Sequence, residues 1–183
     1  MSGDALELAK HRAKLTHGLI LKVVEGLDDD SLAWRPLPRA HSLGWTLWHV
    51  ARTADALWAS VPDAASREQL WLGDDLARAW GLEETLMGTN GLGTGVDDDI
   101  AATLRPPKMS ALVDYARRSF AALDQDIDRL DDDLWCKEHT STFFDGPATV
   151  GRSVMAAIGH DSRHLGEMEY IKGLMGLRGS VTR

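Results

Sequence analysis

Val154-Met155-Ala156-Ala157-Ile158-Gly159-His160-Asp161-Ser162-Arg163-His164-Leu165-Gly166-Glu167-Met168 is the stretch whose reading decides the fold. Its apolar residues Val154, Ala157, Ile158, Leu165 and Met168 recur at helical steps, not at the alternation of a strand. The spacing predicts a last helix from about Thr149 to Met175, with Gly176 as its C-terminal stop. The same period continues outward through the chain. Leu112, Ala116, Phe120, Leu123, Ile127 and Leu130 form the stripe of the preceding long helix. Leu43, Leu47, Val50, Ala54, Leu57 and Val61 mark another, opened by Ser42 as N-cap and closed near Pro62. Leu6, Ala9, Ala13, Ile20, Val23 and Leu27 give the first, broken at Asp28 to Ser31.

Four long amphipathic helices imply an all-α protein, a four-helix bundle with long inter-helix connections. A linker with Pro36 and Pro38 joins the first two helices. Between Pro62 and Pro107 the pattern is irregular, with a short helix expected around Arg67 to Trp80 and a Gly-rich run from Gly88 to Gly95. That run lacks the Lys-Ser/Thr ending of a phosphate loop and reads as a flexible surface loop, with a substrate-covering role open to it. Residues Asp131 to Pro147 read as a loop with turn chemistry at Asp145-Gly146-Pro147. The pattern leaves the spatial order of the helices open. At 183 residues, without repeats or low-complexity tracts, the chain is expected to form a single domain over 1–183.

Lys and Arg number 20 against 28 Asp and Glu, a formal charge of -8. An acidic chain without a basic stripe is poorly suited to phosphate backbones, so no nucleic-acid partner is expected. No stretch approaches the roughly 20 apolar residues of a membrane helix, and no secretory signal is read at the N-terminus. One cysteine, Cys136, excludes an internal disulfide and fits a reducing cytoplasm.

His160 and His164 are four apart, so on a helix both imidazoles project from one face. That spacing suits two ligands of one transition-metal ion. Both lie at the edge of the apolar stripe, where a polar site can face the bundle interior and still admit water. His49 holds a matching position on the second helix, one residue before Val50 and flanked by Thr46 and Thr53. Three nitrogens on one side of an ion would leave other positions open to water or substrate, as catalytic metal sites do. A polar helix face, or hydrogen-bonded core histidines, would give the same spacing, and the residues alone leave these readings open.

At these residues the chain resembles the DinB-like superfamily, which includes the DUF664 proteins and thiol-dependent S-transferases. The resemblance rests on Leu32-Ala33-Trp34-Arg35-Pro36, on Ser42-Leu43-Gly44-Trp45-Thr46-Leu47-Trp48-His49-Val50-Ala51, and on Thr149-Val150-Gly151 through His160-Asp161-Ser162-Arg163-His164-Leu165-Gly166-Glu167 to Tyr170-Ile171-Lys172-Gly173-Leu174. It implies a four-helix bundle with a central divalent metal, zinc or nickel foremost and iron as an option, held by His49, His160 and His164. It also implies a homodimer and a low-molecular-weight thiol as co-substrate. Related maleylpyruvate isomerases carry a Glu at one of the paired ligands where His160 stands here, which argues against that isomerase activity.

The functional expectation is therefore a metal-dependent, thiol-using S-transferase-like enzyme acting on small electrophilic compounds. The alternative is a stress-associated bundle that binds metal or a small ligand without turnover. Glu167 shares the face of His164 and His160 and is the candidate for a supporting or proton-moving role, or for an exposed carboxylate paired with Arg163. Asp161 and Asp55 are weaker supporting candidates. His11 and His17 read as surface or packing residues, and His41 and His139 as loop residues without partners. Trp45, Trp48 and Trp58 read as pocket-lining or bundle-edge residues, and Cys136 as a thiol without function.

Overall fold

The computed structural model describes residues 2–57, 68–82, 88–103, 105, 107–141 and 144–181. In chain order the described elements are α1 (Ser2–Val24), α2 (Asp29–Ala33), α3 (Leu43–Leu57), α4 (Leu70–Gly73), α5 (Leu76–Ala79) and α6 (Asp98–Thr103). They continue with α7 (Met109–Asp128), α8 (Asp132–Cys136), β1 (Glu138–Thr140), β2 (Pro147–Thr149) and α9 (Val150–Leu174). Among the described residues the fold is all-α apart from one two-stranded hairpin and an isolated bridge. No described helix is long and apolar enough to cross a membrane.

The helix boundaries follow local chemistry. Trp45 N–H donates to Ser42 Oγ at the start of α3, and Arg152 N–H to Thr149 Oγ1 at the start of α9. Gly176 ends α9 with φ 77°, a backbone state costly for residues with a Cβ. The Gly176 and Leu177 amides then close onto the carbonyls of Gly173 and Lys172, a Schellman ending. Asp28, where the sequence pattern breaks, caps α2 through the Ser31 amide.

The order of helices in space comes from their contacts. α1 packs against α7 and α9, and α3 packs against the same two helices. Consecutive long helices α1 and α3 therefore stand at opposite corners of the bundle. One departure from expectation concerns α3, which is not amphipathic in place. Nearly every side chain along it is buried, including Arg52, Thr53 and Asp55. Its outer side is covered by the connection to α7: Trp71 of α4 lies 5.8 Å from the Trp48 ring, and Trp80 and Tyr115 close around Trp71.

Asp55 fastens this cover. Its carboxyl group accepts from the amides of Leu70 at 3.0 Å and Trp71 at 2.9 Å, and from Tyr115 Oη at 3.1 Å. These contacts place Asp55 at the junction of α3 with α4 and α7. The short helix expected from Arg67 to Trp80 is resolved into α4 and α5, while Arg67, Trp58, Val61 and Pro62 lie outside the described residues.

The segment 131–147 is not simply a loop. Asp131 caps α8 through the Leu134 amide, and β1 pairs antiparallel with β2, His139 opposite Ala148. These elements are only five and three residues long, too short to imprint a period on the sequence. His139 is buried and shares a 2.9 Å hydrogen bond with Ser153 Oγ, tying the hairpin to α9. It thus has a partner that the sequence does not reveal.

Replacing Asp55 with Ala leaves two buried amides and a phenol without their acceptor. A loss of about 3 kcal/mol is expected, read as a lowered midpoint in urea unfolding. A midpoint within error of the parent would show that the cover is held by its aromatic packing alone.

Candidate metal centre

His49 is one of the few α3 residues that keep some exposure, because its ring faces a cavity and not the packed cover. His160 and His164 on α9 face it across the α3–α9 contact. The ring centroids form a near-equilateral triangle: His49 to His160 and His49 to His164 are each 4.9 Å, and His160 to His164 is 4.5 Å. One nitrogen from each ring lies within 4.8 Å of the others. Helical spacing supplies the pair on α9; the bundle supplies the third ring.

Which nitrogens converge is fixed by the opposite edge of each ring. His49 Nδ1–H donates to the Leu92 carbonyl at 2.5 Å. His160 Nδ1–H donates to Asp161 Oδ1 at 2.9 Å, and His164 Nδ1–H to Glu167 Oε2 at 2.8 Å. A carbonyl or carboxylate only accepts, so each Nδ1 carries the proton and each neutral ring presents a bare Nε2. Two of these, on His49 and His160, face each other at 3.0 Å. Facing lone pairs at that distance repel unless a positive charge stands between them. Burial makes a proton there costly. It pushes the His49 imidazole down to about 4; the Leu92 carbonyl opposes this, and His160 and His164 reinforce it. A divalent cation between them would relieve the same repulsion. Nitrogens sharing one ion at about 2.0–2.1 Å stand roughly 3–4 Å apart, a spacing side-chain torsions can reach here.

Glu167 and Asp161 stand behind the rings as charged carboxylates. Glu167 is held well below the usual carboxylate range by the His164 N–H and by His41, whose Nδ1 lies 3.7 Å from Glu167 Oε1. Asp161 is buried, which would raise its pKa, yet His160 and His17 outweigh burial and lower it. Its Oδ2 faces His17 Nε2 at 3.2 Å, and His17 Nδ1 meets Asp124 Oδ1 at 2.8 Å. For His17, burial opposes charge, but hydrogen bonds to Asp124 and Asp161 raise its pKa to about 9. Three carboxylates and one imidazolium thus stand behind the rings, while Arg163 and Asp98 line the cavity in front of them.

Above the triangle opens a cavity of about 470 Å³, with Trp45, Leu57, Leu92 and Val96 as apolar lining and His41 and Arg163 among its polar residues. The Gly88–Gly95 run is part of this wall. Thr89 and Thr94 bridge across it, and Gly93 sits against the rings of Trp48, Trp45 and His49. Gly93 has φ 89°, and a Cβ there would fall 2.8 Å from Trp48. Glycine is required because the backbone must reach the His49 ring. A run read as a flexible surface loop is thus an ordered turn carrying the His49 acceptor.

Of the site residues expected from sequence, His49, His160 and His164 are brought together, with Asp161 and Glu167 directly behind them. His41 is not partnerless: it lines the cavity and pairs with Glu167. His17 is buried and stacked on Phe120 with centroids 4.4 Å apart, so of its two readings, surface or packing, the structure supports packing. A signal for it was present, since His17 fills the position between Ala13 and Ile20 in the apolar stripe of α1.

Fold and site define a class: a helical bundle with three imidazoles converging between its second and fourth long helices, at the foot of a cavity. The chain belongs to the DinB superfamily, whose model matches residues 12–168. A conserved protein from Enterococcus faecalis has a similar structure, with TM-score 0.76 and 19% identity over 93% of this chain and 96% of that one. A DinB-like protein from Bacillus cereus is similar with TM-score 0.57 and 16% identity, covering 92% of this chain and 91% of that one. At such identities the likeness concerns the fold. No curated protein matches the chain in sequence.

The two shifted histidines set opposite pH limits on the metal-free protein. His17 binds its proton more tightly when folded. Its contribution is complete below pH 6.5 and is lost as pH rises through about 9, a change of about 3 kcal/mol. His49 binds its proton less tightly when folded, so stability also falls as pH drops from 6.5 through about 4. Urea unfolding in the presence of chelator is expected to show greatest stability near pH 6.5; a profile still rising at pH 9 would contradict the His17 assignment.

Proposed function

We propose that the chain is a metal-dependent enzyme that uses a small thiol to modify electrophilic compounds, with His49, His160 and His164 as ligands of one divalent ion. The observation that carries the metal reading is the triple Nδ1 anchoring, which leaves Nε2 as the acceptor of each neutral ring in a cluster where one nitrogen per ring lies within 4.8 Å of the others. Neutral imidazoles suit zinc and nickel, and also iron. A divalent ion bound there lowers the pKa of a thiol brought to it, so that sulfur is available as the nucleophilic thiolate.

The protein's own groups account for the remaining needs of such a reaction. The apolar wall of Trp45, Leu57, Leu92 and Val96 excludes water around the electrophile and offers a surface for its carbon skeleton. Arg163, on the same cavity and one residue before His164, provides a cation for an anionic substituent. When sulfur forms its bond to carbon, the thiol proton needs an acceptor and the leaving group departs with its bonding pair. His41 is suited to take that proton: it lines the cavity and is oriented by Glu167. Glu167 is so firmly engaged by His164 that it acts as an orienting carboxylate and not as the base.

Elemental analysis of untagged protein is expected to find one divalent metal per chain, lost in His164→Ala while the helical circular dichroism persists. Metal-loaded protein is expected to accelerate conjugation of at least one thiol in a panel of thiols and electrophiles, with a drop of roughly 10²-fold or more in His41→Ala. Stoichiometric metal with tight ligand binding but no conjugation would replace the enzyme reading with a binding protein. Unchanged metal content in His164→Ala would overturn the site itself.

A further inference from the structure

His17 and Asp124 lie on α1 and α7, the two long helices that contribute no imidazole to the triangle. Their side chains nevertheless form an unbroken line with the site. Asp124 Oδ1 meets His17 Nδ1 at 2.8 Å, His17 Nε2 meets Asp161 Oδ2 at 3.2 Å, and Asp161 Oδ1 meets His160 Nδ1 at 2.9 Å. His17 and Asp161 are almost without solvent contact, with side chains 4% and 5% exposed, while Asp124 reaches the bundle surface at 18%. The His17 ring is further clamped by Phe120, stacked within 4° of parallel.

The direction of each contact matters. Asp161 has two oxygens, and both are occupied by rings from different helices. A carboxylate bound on one side alone can rotate about its χ2 torsion, because such terminal torsions have broad minima. Bound on both sides, it cannot turn without breaking a buried, charge-assisted hydrogen bond. The orientation of the His160 ring therefore depends on a residue more than one shell away. We infer that His17 is a positioning residue for the histidine triangle: anchored by Asp124, it locks Asp161 so that His160 stays Nδ1-protonated with Nε2 turned toward His49 and His164. The inference builds on the metal reading above for one of its two readouts and is independent of it for the other.

A purely architectural role would have the same three groups merely join α1, α7 and α9. The two roles make different forecasts for the folded protein. Losing a fold-holding contact changes stability but not the metal affinity of the molecules that remain folded. Losing a positive charge near a cation site, as in His17→Phe, by itself tightens cation binding, so weaker binding in that variant reports lost positioning. Asp124→Asn also removes a negative charge and is read by the His160 tautomer. Removing outer groups that orient metal-binding histidines typically costs about 10–100-fold in affinity.

The test compares full-length parent, His17→Phe, Asp124→Asn, Asp161→Asn and the His17→Phe/Asp161→Asn double variant. His17→Phe keeps the ring stack on Phe120 and deletes both donors. If that variant fails to fold, Asp124→Asn, near the surface, serves through the His160 tautomer, which a lost surface charge does not imitate. Zinc affinity is read by competition with a chromophoric chelator, and the His160 tautomer by ¹⁵N–¹H correlation of the metal-free imidazoles. We expect roughly tenfold weaker zinc binding in His17→Phe, a smaller loss in Asp124→Asn, and no further loss in the double variant beyond Asp161→Asn alone. The His160 Nδ1–H signal is expected to broaden or be lost in His17→Phe. Equal or tighter zinc binding in His17→Phe, or additive losses in the double variant, overturns the inference. If the parent binds no zinc, the metal reading fails, and an unchanged His160 tautomer in the His17 and Asp124 variants then overturns the positioning role separately.

Discussion

A carboxylate buried among helices is unstable unless every lone pair it exposes is met by a donor, and Asp161 is such a group. An isolated buried charge costs several kcal/mol, a large share of a small protein's net stability. Asp161 is tolerated because α1 supplies the His17 ring on one side and its own helix supplies His160 on the other. His17 in turn needs Asp124 of α7. One charge thus sets a chain of requirements that passes through three of the four long helices and ends on an imidazole facing the fourth.

The other side of the triangle is shaped by a different constraint. α3 is buried on nearly all sides, so a polar ring on it must find a partner or a cavity. His49 has both, the Leu92 carbonyl at Nδ1 and the open space beside Nε2. The cover that buries α3 also brings that carbonyl. Fold and site are consequently not separable here: the connection between α3 and α7, which carries none of the three histidines, decides which nitrogen His49 offers. Three rings held in this way present the same atom, a demanding arrangement if the outcome were only a packed core.

Much of this was legible in the residues. The stripes of α1, α3, α7 and α9 are written at helical period, and capping at Ser42, Thr149 and Gly176 marks ends that the structure keeps. His160 and His164 announce their common face by spacing alone. Other features were hidden for physical reasons. α8 and the hairpin strands are too short to repeat a period often enough to be read. The burial of α3 on its outer side depends on Trp71, Trp80 and Asp55, which meet only after the chain folds back on itself. His17 lies 107 residues from Asp124 and 144 from Asp161, so no local pattern joins them. Even so, a histidine filling one place in an otherwise apolar stripe, as at position 17 of α1, is a readable sign that a buried partner waits elsewhere. Asp161, set between Ala157 and Leu165 on the inward face of α9, is the same sign seen from the other end.

Crystals grown with zinc and measured at the zinc absorption edge address the central claim most directly. The account predicts a single anomalous peak at bonding distance from Nε2 of His49, His160 and His164, with each Nδ1 still bound to Leu92, Asp161 or Glu167. A peak bound through Nδ1, or a His49 ring swung away with zinc held elsewhere, would contradict it.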